Sequence, residues 1–261
     1  MPNVYAACWT MSEIAFNGSG AAARAGTLRD IALVADTQLK IAGNTAGGDF
    51  SRMLVVPEYL FSAGGALLSR DNKHAIYRQL ENISAAVPQL LIVAGSIAYR
   101  KGTFFKDTYN VCPILLNGQI IRKLYKANDD GVYQNNGTFR TKTDGGKGVP
   151  YATIGGLNIG LDICLDYNQG RLGTYIAQNN LAAPDIHIQI SGTNSAASSR
   201  SAARTGGVYL HCDLGGKGAN GATAWRVTGQ AADIGTATTR IQPRQVLMQG
   251  GGRLMLFDIP V

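Results

Sequence analysis

Three apolar runs of this sequence end in side chains of different chemistry: Glu58 closes "LVVPE", Lys123 closes "QIIRK" and Cys164 closes "NIGLDIC". A carboxylate, an ammonium and a thiol are a sufficient set for covalent acyl transfer, as base, electrostatic stabiliser and nucleophile. Each also has an ordinary reading by itself: a solvated acid after a strand, a lysine lying over a strand edge, a free cysteine packed as a small hydrophobe. The immediate context of Cys164 argues against reactivity. Asp162 and Asp166 lie two residues to either side, and like charge raises a thiol's pKa. Activation must therefore come from elsewhere in the chain. Asp166 and Gln169 have the i, i+3 spacing of a helix-capping box, which would absorb one of the two charges, whereas Asp162 has no partner assignable from sequence.

Other chemistries are poorly supported. None of His74, His187 and His211 lies in a motif that pairs it with Cys164, and His187 alternates with Ile186 and Ile188 as a strand residue does. The adjacent pair His211-Cys212 lacks the three or four spaced ligands of a zinc site, so no metal is expected. Two GGKG segments lack the Ser/Thr and the spacing of a phosphate-binding loop. Ser191, Gly192 and Thr193 follow the run "IHIQI" and are candidates for substrate contacts at the sheet end that carries Cys164. Loop residues that merely cap a strand would read the same way.

The elements that must position these groups read as α/β. Short runs rich in Val, Ile and Leu, such as "MLVVPEYL", "LLIVAGSIAY", "LNIGLDIC", "IHIQISG", "VYLHCDLGG" and "RLMLFDI", have the length of buried strands. Helical patterns at "LRDIALVADTQLKIA", "HAIYRQLENISAAV" and "QGRLGTYIAQNNLAA" alternate with them. Asn117-Gly118 inside "YNVCPILLNGQIIRKLY" signals a type I′ hairpin. Residues 127–150, 191–207 and 215–240 read as long polar loops. No linker or repeat divides the 261 residues, so a single domain is expected.

Composition narrows the function classes further. The net charge is +7, but the basic residues are scattered without interleaved aromatics, which disfavours nucleic-acid binding. Four cysteines without a CxxC pair suggest a reducing compartment rather than a disulfide framework. No Sec-type signal or membrane-length apolar run is present, so a cytoplasmic protein is expected, with delivery by a non-Sec route left open.

Three blocks together resemble the nitrilase, or carbon-nitrogen hydrolase, superfamily. "LVVPEYLFSAGG" resembles its Pro-Glu signature. "LIVAGSIAYRKGTFFKDTYNVCPILLNGQIIRKLYK" resembles its central block, with Gly-Ser, Tyr-Asn, an Asn-Gly turn and Arg-Lys. "IGLDICLDYNQGRL" is similar to the block in which Ile-Cys, one variable residue and Asp open a helix. The order Glu, Lys, Cys and the spacings of 65 and 41 residues are of the family's kind.

The resemblance implies a four-layer αββα sandwich that commonly dimerises through its helices, and no metal or organic cofactor. It implies hydrolysis of a small non-peptide amide through an acyl-thioester. Glu58 is then the base and Cys164 the nucleophile, with Lys123 and the Leu165 N–H around the oxyanion. Lys123 is placed ahead of Lys126 because the family's lysine directly follows the arginine. The family's second glutamate has no counterpart, since no glutamate follows Glu81; Asp129 or Asp130 is the available substitute. The missing second glutamate, together with a C-terminal half that lacks the family's Arg-Ala-x-Glu-Asn block, leaves a nitrilase-like binding protein as one alternative; the low charge and richness in small residues point to another, a deamidase of protein side-chain amides.

Overall fold

The computed structural model describes residues 3–42, 51–62, 67–102, 107–131, 137–142, 148–192, 197–214, 221–231 and 235–260. The apolar runs form two sheets. The first contains β1 (Asn3–Met11), β2 (Arg52–Val56), β3 (Leu90–Ala94), β4 (Ile97–Lys101), β5 (Asp107–Leu116), β6 (Gln119–Tyr125), β7 (Thr138–Phe139), β14 (Gln245–Gln249) and β15 (Gly252–Pro260). The second contains β8 (Tyr151–Ile154), β9 (Leu157–Ile163), β10 (Ile186–Ser191), β11 (Val208–Asp213), β12 (Ala222–Ala231) and β13 (Gly235–Ile241). The first runs in the order β14-β15-β1-β2-β3-β5-β4, with β6 and β7 also on β5, and the second β13-β12-β11-β10-β9-β8. Parallel pairing joins β1 to β2, β2 to β3, β9 to β10 and β10 to β11.

The period-2 alternation of strands sorts side chains into two cores. On β1, Val4, Ala6 and Cys8 join Val55, Leu91, Ile163, Ile190 and Phe257 between the sheets. Tyr5, Ala7 and Trp9 face the other way, against α2 (Ala21–Ala42), which follows the short α1 (Glu13–Asn17), and against α3 (Arg70–Ala86). Leu28, Ile31, Ala32, Ala35 and Leu39 make the buried stripe of α2 at helical spacing. Ser69 caps α3, its Oγ accepting from Asn72 N at 3.1 Å. After β9 come α4 (Leu165–Asn168) and α5 (Arg171–Asn179), which pack on the outer side of the second sheet and complete an αββα layering. α5 approaches closely because Gly160 has no Cβ, which would lie 2.2 Å from Leu172 Cδ2.

The Asn117-Gly118 turn forms as expected, with φ of 51° and 79° between the antiparallel β5 and β6. The segment read as loop over 215–240 is instead largely the antiparallel pair β12–β13. Its inward-facing residues include Ala222 and Ala224, too small to give a clear alternation signal. No helix among the described residues is long and apolar enough to cross a membrane.

Candidate active site

Beyond β2 the chain turns sharply. Tyr59 has a φ of 59° and donates its N–H to Ser96 Oγ at 2.9 Å, which holds Glu58 beneath the turn. Gly95 permits this: its φ is 66°, and a Cβ there would lie 2.3 Å from the Pro57 carbonyl oxygen. Glu58 is completely buried. Its Oε1 accepts from Asn110 Nδ2 at 2.9 Å and from Lys126 Nζ at 2.8 Å. Oε2 takes no hydrogen bond among the described residues. Burial raises the Glu58 pKa; the Lys126 charge opposes that shift and the Asp130 charge adds to it.

The lysine beside Glu58 is Lys126, and Lys123 lies elsewhere. Strand parity explains this correction. On β6, Leu124 points between the sheets, whereas Tyr125 points to the helix side. Lys123 shares the parity of Tyr125, and its Nζ lies 4.7 Å from the centre of the Tyr77 ring on α3. Lys126 shares the parity of Leu124 and extends the ladder one residue further, its N–H donating to Asn110 O at 2.9 Å. Its ammonium also bonds Asp130 Oδ2, which accepts from Tyr59 Oη at 2.7 Å. Burial works against the Lys126 charge, but Glu58, Cys164 and Asp130 outweigh it and raise the pKa. Asp130 thus occupies the place of a second acidic partner, while Asp129 caps its own turn by accepting from Gly131 N.

Cys164 sits where β9 passes into α4, at φ 52° and ψ −106°, a strained conformation for a residue with a side chain. Its amide is fixed by Ile190 O at 2.8 Å. The thiol sulfur and carboxylate oxygens of Glu58 and Asp130 all lie within 4.8 Å of one another, around the Lys126 ammonium. Such a trio of ligand atoms could hold a metal ion, but here the lysine supplies the cation. Burial and the Glu58 charge push the thiol pKa up, against the Lys126 charge and a backbone hydrogen bond from Gly192. The thiol is therefore protonated at rest.

The flanking aspartates are engaged away from the sulfur. Asp166 is no capping residue; it accepts from Ala127 N at 3.0 Å, from Asn128 N and Nδ2 at 2.8 Å each, and from Arg171 NH1 at 2.6 Å. The turn at Cys164 is thereby clamped to the backbone just after Lys126. Arg171 extends the clamp to Tyr125 O and Gly148 O. Asp162 Oδ2 pairs with His187 Nε2 at 3.2 Å, and His187 Nδ1 accepts from Ala202 N, so the ring proton lies on Nε2.

The expected substrate contacts fare unequally. Leu165 opens α4 beside the thiol. Ser191 turns its buried hydroxyl away, donating to Asp213 Oδ1 at 2.7 Å and meeting His211 Nε2 at 2.8 Å. Thr193 lies outside the described residues. Sequence reading did not single out Asn110, Tyr59 or Ser96. Asn110 had the best available signal, since it stands in the Tyr-Asn pair of the central block.

The sequence matches no protein-family model and no curated protein. Solved structures do match. An amidase from Nesterenkonia sp. AN1, as a double mutant in complex with acrylamide, superimposes with a TM-score of 0.65 at 11% identity, covering 100% of this chain and 92% of that one. Another mutant of that amidase, with the acetamide moiety of fluoroacetamide added covalently at its active-site cysteine, gives 0.64 at 13% identity over 98% and 90%. Saccharomyces cerevisiae Nit3, a member of branch 10 of the nitrilase superfamily, gives 0.60 at 15% identity over 99% and 90%.

The chain has the nitrilase-superfamily fold. Within this fold the two sheets supply different parts of the cluster. Glu58 and Lys126 come from the first sheet and Cys164 from the second, so the three groups meet across the sheet interface. A cleft of 640 Å³ opens between the Lys126 loop and α5, lined by Asn128, Gln169 and Arg171, but Glu58, Lys126 and Cys164 do not line it.

Proposed function

We propose that this protein is a carbon-nitrogen hydrolase that cleaves a small non-peptide amide through a Cys164 thioester, with Glu58 as base and Lys126 as the charged stabiliser. The observation that carries the reading is the Lys126 ammonium bridging two carboxylates within reach of a strained, buried thiol. The cysteine-dependent amidase of the same fold supports it.

The chemistry follows from the protonation states. Glu58 Oε2 takes the thiol proton as sulfur attacks the amide carbon. The raised pKa of the carboxyl brings it nearer that of the thiol and makes the transfer less uphill. Negative charge moves onto the carbonyl oxygen, where the Lys126 ammonium and the Leu165 N–H receive it. Glu58 returns the proton to the leaving nitrogen, the C–N bond breaks and ammonia or an amine departs. Water, deprotonated by the same carboxylate, attacks the thioester; the carboxylic acid leaves and the thiol regains its proton.

The test is a screen of small amides for ammonia release, with mass spectrometry of protein quenched during turnover. Release with an acyl mass on Cys164, absent from Cys164→Ala, is expected. If no amide is turned over, or if Cys164→Ala matches the unaltered chain, the reading is wrong.

A further inference from the structure

Three buried polar side chains lie near the cluster without a part in the reaction: Ser191 at the end of β10, and His211 and Asp213 on β11. Ile186, Ile188 and Ile190 fill the core between the sheets, so Ser191, of opposite parity, faces the outer side of the second sheet. Its hydroxyl donates to Asp213 Oδ1 at 2.7 Å, so the proton in the 2.8 Å contact with His211 comes from Nε2 of the imidazole. The Ser191 carbonyl also accepts from Leu214 N at 3.0 Å. The end of β10 is therefore tied to β11 by side chain and by backbone.

The residue so anchored precedes Gly192, whose amide meets Cys164. Cys164 N donates to Ile190 O at 2.8 Å, and a parallel β9–β10 ladder continued by one step would bring Gly192 N to Cys164 O. That carbonyl instead accepts from Tyr167 N at 3.1 Å, because the chain turns into α4. The Gly192 N–H, released from the ladder, bonds the Cys164 side chain. Absence of a side chain lets this backbone come close: a Cβ on Gly192 would lie 3.0 Å from Tyr59 Cδ2 and 3.6 Å from Glu58 Oε2. Gly192 thus packs against the same Glu58 oxygen that takes no hydrogen bond among the described residues.

We propose that the Gly192 N–H is a catalytic donor to the Cys164 sulfur, and that Ser191, His211 and Asp213 are positioning residues that hold it there. As the thiol proton passes to Glu58, negative charge collects on sulfur, and a hydrogen bond to a charged acceptor is stronger than one to the neutral thiol. The three side chains face away from the sulfur and act on it only through the backbone between Ser191 and Gly192. As a step in catalysis this role rests on the hydrolase reading; as a control on the reactivity of the thiol it does not.

The test is the rate of iodoacetamide modification of Cys164 in the folded full chain at neutral and mildly alkaline pH, read by tryptic mass spectrometry. Ser191→Ala should lower the thiolate fraction about tenfold, or one pKa unit. The greater nucleophilicity of a more basic sulfur trims this to labelling roughly threefold slower. Mere loosening of the structure opens the site and speeds labelling, so a slower rate is specific to the lost donor. Tyr209→Phe, which deletes a bond to Gln189 Oε1 on the same face, is the structural control and should not slow labelling. His211→Gln, which keeps a donor near the place of Nε2, should label faster than His211→Ala, and this pair decides the matter if Ser191→Ala does not fold. Circular dichroism checks each variant. The proposal is overturned if folded Ser191→Ala and His211→Ala label as fast as the unaltered chain, or if Tyr209→Phe slows labelling as much as they do. Labelling needs no turnover, so a chain that hydrolyses no amide yet labels in this pattern refutes the hydrolase reading alone.

Discussion

Two lysines three positions apart carry opposite expectations. Lys126→Gln removes the cation between two carboxylates and an oxyanion donor together. Losing such a donor costs about 10²–10³ in kcat. Leaving Glu58 buried without its cation should cost roughly 3–5 kcal/mol of stability as well. Lys123→Gln should leave kcat near that of the unaltered chain, because its ammonium lies over Tyr77. Paired measurements of kcat and urea midpoint check this, and equal losses in both variants would contradict the assignment. The pH profile is a second reading of the same cluster. Glu58 must be ionised to act as base and its pKa is raised, so kcat/KM should fall with decreasing pH at a midpoint above the ~4.3 of an ordinary glutamate. The Lys126 pKa is also raised, which keeps that charge in place on the alkaline side through the ordinary lysine range. An acid limb at or below the ordinary glutamate value would refute the placement of Glu58.

Between elements, the Asp166–Arg171 clamp does what no reacting group does, tying α4 and α5 to the chain just beyond β6. Asp166→Asn removes a charge that backbone amides and a guanidinium share. Hydrogen bonds to charged groups contribute about 1.5–3 kcal/mol each, so a clear drop in urea midpoint is expected. Displacing Lys126 also weakens the charge that opposes the rise in the Glu58 pKa, so kcat should fall and the acid limb should move to higher pH; an unshifted limb with unchanged kcat would place the clamp's influence elsewhere. Sequence showed this level unevenly. The β5–β6 hairpin was legible because Asn117-Gly118 encodes its turn locally. The choice of Lys126 was in principle legible from the parity of Leu124 and Tyr125, but motif position pointed to Lys123. Asp166 read as a cap because i, i+3 spacing cannot reveal that the amides after Lys126 fold against it. Asn110 and Tyr59 are brought in by pairing across the sheet and by a left-handed turn, neither of which a local pattern records. The β12–β13 pair was hidden by alanines where larger inward residues would have marked a strand.

At the scale of the whole molecule, the cluster exists only while the two sheets stay packed, since the Cys164 thiol and Glu58 belong to different sheets. The four cysteines make this testable. Cys8, Cys112 and Cys212 are all in the core between the sheets and wholly buried, whereas Cys164 retains 6% exposure. Burial also raises the Cys112 and Cys212 pKa values, which keeps those thiols in their unreactive form. Pulsed iodoacetamide labelling without denaturant should therefore modify Cys164 alone. It should do so slowly, because burial and the Glu58 charge raise the pKa of that thiol too. Through a urea series the other three should become labelled together, along the same transition that circular dichroism reports, because exposing any of them requires the sheets to part. Tryptic mass spectrometry at each urea concentration assigns the sites. If Cys212 or Cys8 labels before the global transition, the sheets separate locally and the reacting groups are not held by a single cooperative interface.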